Sequence, residues 1–204
     1  MKKEEKNVRN VRERGALVSL RVEIALFGNA RVLCFAAMLA AMSLILGKFL
    51  QIPNPFQQII RISFENLPIL LSGITMGPLI GAVTGAVADL LGCVLYGYSI
   101  NPLITLGAAA TGLVSGFLAR YVVRRPVSLQ VIVCGACAHL VGSVVLKSLG
   151  LAAWYLGQYH MGLIELMLWR ALTYTVIGVA ECAILILLLR NRAFATQLER
   201  MREG

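Results

Sequence analysis

The stretch 77–92, GPLIGAVTGAVADLLG, decides how this chain is read. Four glycines, three alanines and one carboxylate, Asp89, stand in a run that is otherwise apolar. Gly73, Gly77, Gly81 and Gly85 recur every four residues, and Asp89 follows at the same spacing. A helix continuing through the run would carry all five on one face. Small residues at this interval let helix backbones approach closely in lipid, where association rests on packing rather than on the hydrophobic effect. The stretch therefore predicts a membrane helix packed against a neighbour, with a carboxylate near its middle.

The surrounding chain fits that setting. Of 204 residues, 58% are hydrophobic and 14% charged, and the mean hydropathy is +0.78. These values exclude an ordinary soluble domain. A bilayer crossing needs about 20 apolar residues, and the hydropathy pattern predicts six spans: Val32–Phe49, Ile62–Met76, Leu79–Tyr96, Pro102–Tyr121, Val127–Lys147 and Leu163–Leu189. Gly77-Pro78 predicts a tight turn joining the short second span to the third. The fold class is thus an all-α integral membrane protein, a six-helix bundle. Residues 1–31 form a basic cytoplasmic or interfacial segment, 32–190 the membrane domain, and 191–204 a basic tail. Within the first segment, ALVSLRVEIALFG (16–28) has an apolar helical face that suits an interfacial helix. The opening basic run does not resemble a cleaved signal, so the N-terminus is expected to be retained.

Charge placement orients the bundle. Fifteen of the nineteen lysines and arginines lie at or before Arg31, at Arg120, Arg124 and Arg125, or from Arg190 onward. Six spans bring all three groups to one side, and the positive-inside rule makes that side, with both termini, cytoplasmic. It also accounts for the net charge of +9 without nucleic acid.

The remaining cations are Lys48, Arg61, Lys147 and Arg170. With Glu65, Glu165 and Asp89 they fall within or near spans, where a charge costs about 2.5 to 3.5 kcal/mol and normally faces a partner or a polar cavity. Two readings follow. Arg61 with Glu65, and Arg170 with Asp89 or Glu165, form structural ion pairs, or these groups line a cavity opening outward. Tyr96, Tyr98, Trp154, Tyr155 and Tyr159 cluster at the same level, either as an interfacial belt or as rings that stack on a planar ligand. Ala36 with Ala40 and Ala37 with Ala41 give the first span two small-residue ridges, one of them suited to docking another membrane protein.

Catalytic signatures are missing: the chain has no HExxH, GxSxG or P-loop pattern. Cys134 and Cys137, in CGAC, read as small buried residues rather than a redox or metal site. His139 reads as a hydrogen-bonded interior residue. No metal or cofactor is called for.

GKFLQIP (47–53), RISFENLPILLSGITMGPLIGAVTGAVADLLGC (61–93), GYSINPLITLGAAATGLVSGF (97–117) and LWRALTY (168–174) together resemble the folate-family substrate-binding (S) component of energy-coupling factor (ECF) transporters. The charged first 30 residues have no counterpart in that resemblance. It implies a six-helix, non-enzymatic subunit of the bacterial cell membrane that captures folate from outside. Such a subunit then docks on a transmembrane coupling (T) protein carrying two cytoplasmic ATPases, which hydrolyse the ATP. Ala36, Ala37, Ala40 and Ala41 are the implied docking residues, and QIPNPFQQI (51–59) the implied lid.

Folate joins a planar pterin to an aminobenzoyl-glutamate tail. Arg61, Arg170 or Lys147 suit the tail carboxylates. Glu65 suits the pterin N–H groups, Asn66 and Asn101 add amide contacts, and Tyr96, Tyr98 and Trp154 offer stacking surface. Asp89, deeper, is expected to be a cavity-floor or structural partner of Arg170. The alternatives are an S component for another vitamin, such as pantothenate or riboflavin, and an autonomous secondary transporter or small channel.

Overall fold

The fold is given by a computed structural model that describes residues 26–53, 61–123, 126–155 and 162–203. It is helical apart from one two-residue ladder. Helix α1 (Ala30–Phe49) starts at Asn29, whose side chain accepts the Arg31 N–H at 2.9 Å. Strands β1 (Ile52–Pro53) and β2 (Arg61–Ile62) pair antiparallel, Ile52 opposite Ile62. Then come α2 (Asn66–Met76), α3 (Pro78–Tyr96) and α4 (Pro102–Phe117), which ends in a π-helical turn, Leu118–Val122. Helix α5 (Val127–Ala138) runs through a π-helical segment, His139–Leu146, into α6 (Lys147–Tyr155). Helices α7 (Leu163–Arg190) and α8 (Arg192–Glu203) complete the chain.

Five of the described helices are long and apolar enough to cross a membrane: Ala30–Phe49, Pro78–Tyr96, Pro102–Val122, Val127–Ala153 and Leu163–Arg190. The second expected span is shorter than the sequence implies. Arg61 and Ile62 belong to the ladder, and α2 has only 11 residues, about 16 Å at 1.5 Å per residue. All of them but Ile74 are buried, so α2 is a central helix surrounded by protein rather than lipid. The fifth span, expected to end at Lys147, continues helically to Tyr155. Of the interfacial helix expected over 16–28, all but the last three residues lie outside the described residues.

The glycine stripe is not one face of one helix. Gly77 breaks it with φ 105° and ψ 170°, a conformation open to glycine, and Pro78 starts α3 at the first helical position. The chain folds back, and the glycines of α2 and α3 meet those of α4. A Cβ on Gly81 would lie 2.6 Å from both the Gly73 Cα and the Gly112 carbonyl oxygen, and one on Gly116 would strike Pro78. The recurrence thus builds a junction of three backbones. Buried hydroxyls stitch it: Ser72 and Thr84 lie 2.9 Å apart. Large apolar side chains such as Met38, Val94 and Leu168 point outward, as they do when the solvent is lipid.

The α1 alanines divide. Ala37 and Ala41 are exposed, whereas Ala36 and Ala40 are buried. Ala36 packs in a cluster with Met76 and Ile80, and Ala40 in one with Ile69 and Ala88. Of the two small-residue ridges, the one of Ala37 and Ala41 faces outward and the one of Ala36 and Ala40 faces the bundle. At the same end as Arg31 and Arg190, Phe194 and Leu198 of α8 pack with Leu26 and Val32.

Candidate functional site

A cavity of about 510 Å³ lies at the opposite end of the bundle. Its walls come from the C-terminal ends of α1 and α3, the Ser63–Glu65 entry to α2, the start of α4, Lys147 and Leu151 of α6, and Arg170 and Tyr174 of α7. The volume falls within the roughly 300–1,000 Å³ of small-molecule sites.

Charge is concentrated on one wall. Lys147 is buried at 5% exposure, and its Nζ donates to Glu65 Oε1 at 2.8 Å. Ser43 fixes Glu65 from α1, its hydroxyl donating to the Glu65 carbonyl at 2.6 Å. Gly107 lets the Lys147 backbone come close: a Cβ there would lie 2.7 Å from Lys147 Cγ and 2.8 Å from the Gly142 carbonyl oxygen. Arg170, also 5% exposed, donates from Nε to the Ser143 carbonyl at 2.9 Å and from Nη2 to the Tyr174 hydroxyl at 3.4 Å. A guanidinium has five N–H donors, so these two bonds leave others for the cavity that Arg170 lines.

Of the expected ion pairs, that of Arg61 with Glu65 involves a side chain outside the described residues, and Arg170 pairs with neither Asp89 nor Glu165. Glu65 pairs with Lys147. Asp89 lines the cavity but accepts the Thr105 hydroxyl at 2.6 Å rather than pairing with Arg170. Asp89 and Arg170 line the same cavity, but the Asp89 carboxylate turns to Thr105 on α4. Arg170, in turn, bonds to Ser143 and Tyr174 rather than to Glu165.

Among the aromatic expectations, Tyr96 and Tyr98 line the cavity with ring centroids 6.1 Å apart. The Tyr96 hydroxyl donates to the Leu44 carbonyl at 2.8 Å, which fixes the ring against α1. Asn101 lines the cavity and caps α4: its Oδ1 accepts the Leu103 N–H at 3.0 Å, and its Nδ2 donates to the Gly150 carbonyl at 2.8 Å. Asn66 does not line the cavity. It is fully buried behind the wall, its Nδ2 3.4 Å from the Ser143 hydroxyl. The backbone of Arg61 pairs opposite Pro53, while the side chains of Arg61 and Trp154, most of the lid and Tyr159 lie outside the described residues.

One wall residue, Tyr174, escaped the sequence reading, and a second, Lys48, counts there among the cations near the spans but is given no role at the site. Tyr174 follows Arg170 by four residues, a spacing that puts both on one helix face. Lys48 closes α1 with its Nζ 4.9 Å from the Tyr96 ring centroid, a cation–π contact that no spacing rule flags.

The wall therefore offers a fork of donors, an ammonium paired with a carboxylate, a second carboxylate and aromatic faces. That is a binding set for a polar, planar, anionic molecule. The family described as ECF transporter, substrate-specific component matches residues 31–190. The folate transporter FolT of Clostridium novyi (strain NT) is 32% identical over 68 residues, 33% of this chain and 38% of that protein. The chain thus matches little more than a third of that relative's length. The crystal structure of FolT bound with folic acid superposes with a TM-score of 0.60 at 21% identity, covering 76% of this chain and 90% of that one. This likeness shows a shared fold.

Proposed function

Because this chain belongs to the substrate-specific components of ECF transporters, which are membrane-embedded transport subunits and not enzymes, we propose that it captures folate and delivers it to an ATP-driven transporter complex. The observation that carries the proposal is the cavity wall itself: Arg170, Lys147 with Glu65, and Tyr96 face one space of about 510 Å³. The similarity to a folate transporter over 68 residues supports the choice of ligand.

In this reading α2 is the short member of a six-helix membrane domain spanning 32–190. Basic residues at Arg31, Arg120 and Arg190 mark the cytoplasmic end, both termini lie there, and the cavity opens outside. Arg170 holds a carboxylate of the glutamate tail, because a guanidinium matches a carboxylate with two parallel hydrogen bonds. Lys147 and the Arg61 side chain add positive charge. Glu65 accepts pterin N–H groups, and Tyr96 and Tyr98 stack on the ring. Asn101 holds the mouth of α4 in place, and Asp89 forms the floor with Thr105.

Delivery requires partners. The outward ridge of Ala37 and Ala41 docks on a T protein that carries two ATPases, since small side chains permit close helix approach in lipid. Uptake of labelled folic acid in cells with and without the coupling proteins tests this. Uptake lost with those proteins supports the proposal. Uptake by the purified chain alone in liposomes, driven by an ion gradient, contradicts it.

A further inference from the structure

Behind the cavity lies a buried polar chain with no part in the proposed contacts. His139 Nε2 and Glu181 Oε2 share a hydrogen bond of 2.6 Å, with the two residues 4% and 0% exposed. On the other side of the imidazole, Nδ1 lies 3.5 Å from the Ser143 hydroxyl, which Asn66 Nδ2 approaches at 3.4 Å. One oxygen of Glu181 has no hydrogen-bond partner among the described residues. An arrangement of this kind is a poor source of stability. Replacing a buried ion pair by apolar residues of similar volume is commonly neutral or stabilising, and an unpaired buried oxygen costs stability.

The chain nevertheless reaches the ligand wall. The imidazole stacks on Tyr174, with centroids 5.3 Å apart and planes at 28°. The same ring lies 5.2 Å from the Arg170 guanidinium carbon, and its hydroxyl accepts from Arg170 Nη2 at 3.4 Å. On α7, Arg170, Tyr174, Gly178 and Glu181 succeed one another at helical intervals along one face. The imidazole lies against this face at Gly178, where a Cβ would meet His139 Cδ2 in ordinary contact at 3.4 Å. The facing segment His139–Leu146 is π-helical, so the Lys147 N–H bonds to the Gly142 carbonyl, five residues back. That register spares the Ser143 carbonyl the Lys147 amide, and it accepts Arg170 Nε. Such π segments concentrate at functional sites.

Resting on the reading of Arg170 as a ligand contact, we infer that His139 and Glu181 are positioning residues: their hydrogen bond sets the imidazole against the Tyr174 ring, and the ring aims the Arg170 guanidinium into the cavity. Neither touches the ligand.

The test uses the full chain in detergent, with folic acid as the probe in calorimetry. His139→Leu combined with Glu181→Met is expected to leave the thermal midpoint unchanged or raised, yet to weaken folic acid binding about tenfold, because coupled networks act as units. In a Tyr174→Ala background the same pair of changes has no further effect. Undiminished affinity, or effects that simply add, overturn the inference. Should the double variant not fold, Glu181→Gln takes its place, with about a threefold loss expected and unchanged affinity overturning. Failure of wild type to bind folic acid refutes the ligand reading instead. A ligand-free readout then decides: in 15N-arginine spectra the Arg170 Nε–H signal, assigned by its loss in Arg170→Ala, shifts or broadens in either variant. A signal identical to wild type overturns the inference.

Discussion

Gly107→Ala is the substitution through which packing and binding are most tightly joined. The added Cβ would lie 2.8 Å from the Gly142 carbonyl oxygen and 3.2 Å from the Lys147 amide nitrogen, both backbone atoms that cannot rotate away. Reaching ordinary contact requires α4 and the π segment to part by roughly 0.6 Å. Overpacking of this kind costs about 1–3 kcal/mol. Alanine's higher helix propensity returns at most about 1 kcal/mol, so the balance is a loss. The same Cβ would meet Lys147 Cγ at 2.7 Å, so the Lys147 stem must shift and its 2.8 Å bond to Glu65 is disturbed. Folic acid affinity is expected to fall about tenfold, the equivalent of roughly 1.4 kcal/mol, together with a lower thermal midpoint. Calorimetry and thermal unfolding of the purified variant measure both. A variant with wild-type midpoint and wild-type affinity refutes the claim that Gly107 seats Lys147.

Three further outcomes are expected. Lys147→Gln leaves Glu65 without its ammonium and lowers folic acid affinity by about tenfold or more, read by calorimetry on monodisperse protein. Asp89→Asn keeps an acceptor for the Thr105 hydroxyl and changes affinity by less than about threefold; a large loss in a folded variant reassigns Asp89 to the ligand. Ala41→Leu on the outward ridge leaves folic acid binding intact and reduces coupled uptake in cells, because it holds the partner helix away.

Hydropathy made the long helices legible, since each crossing must satisfy its backbone internally and shed its polar residues. It overextended α2: Ile62 and Phe64 prolong the apolar pattern, but Ile62 pairs opposite Ile52 in the ladder. The glycine period was visible, and its meaning was not, because one positive φ at Gly77 turned a single stripe into two faces meeting α4. At the site, charge type and depth singled out Lys147, Glu65 and Arg170. Pairing was misjudged because depth carries no azimuth: Asp89 turns to Thr105, and Lys147 reaches Glu65 across 82 positions of sequence. Asn66 read as a contact by chemistry alone, whereas the helix rotation buries it against Ser143. The π register of His139–Leu146 leaves no mark that hydropathy or residue type displays.

The proposed binding of folate by this wall rests on Arg170. It is tested most directly by calorimetric titration of folic acid into the purified protein and its Arg170→Ala variant, with thermal unfolding as the check on folding. Wild type is predicted to bind at submicromolar concentration and the folded variant at least about tenfold more weakly, roughly 1.4 kcal/mol. No binding by wild type at micromolar folic acid, or equal affinity in the two proteins, contradicts the account.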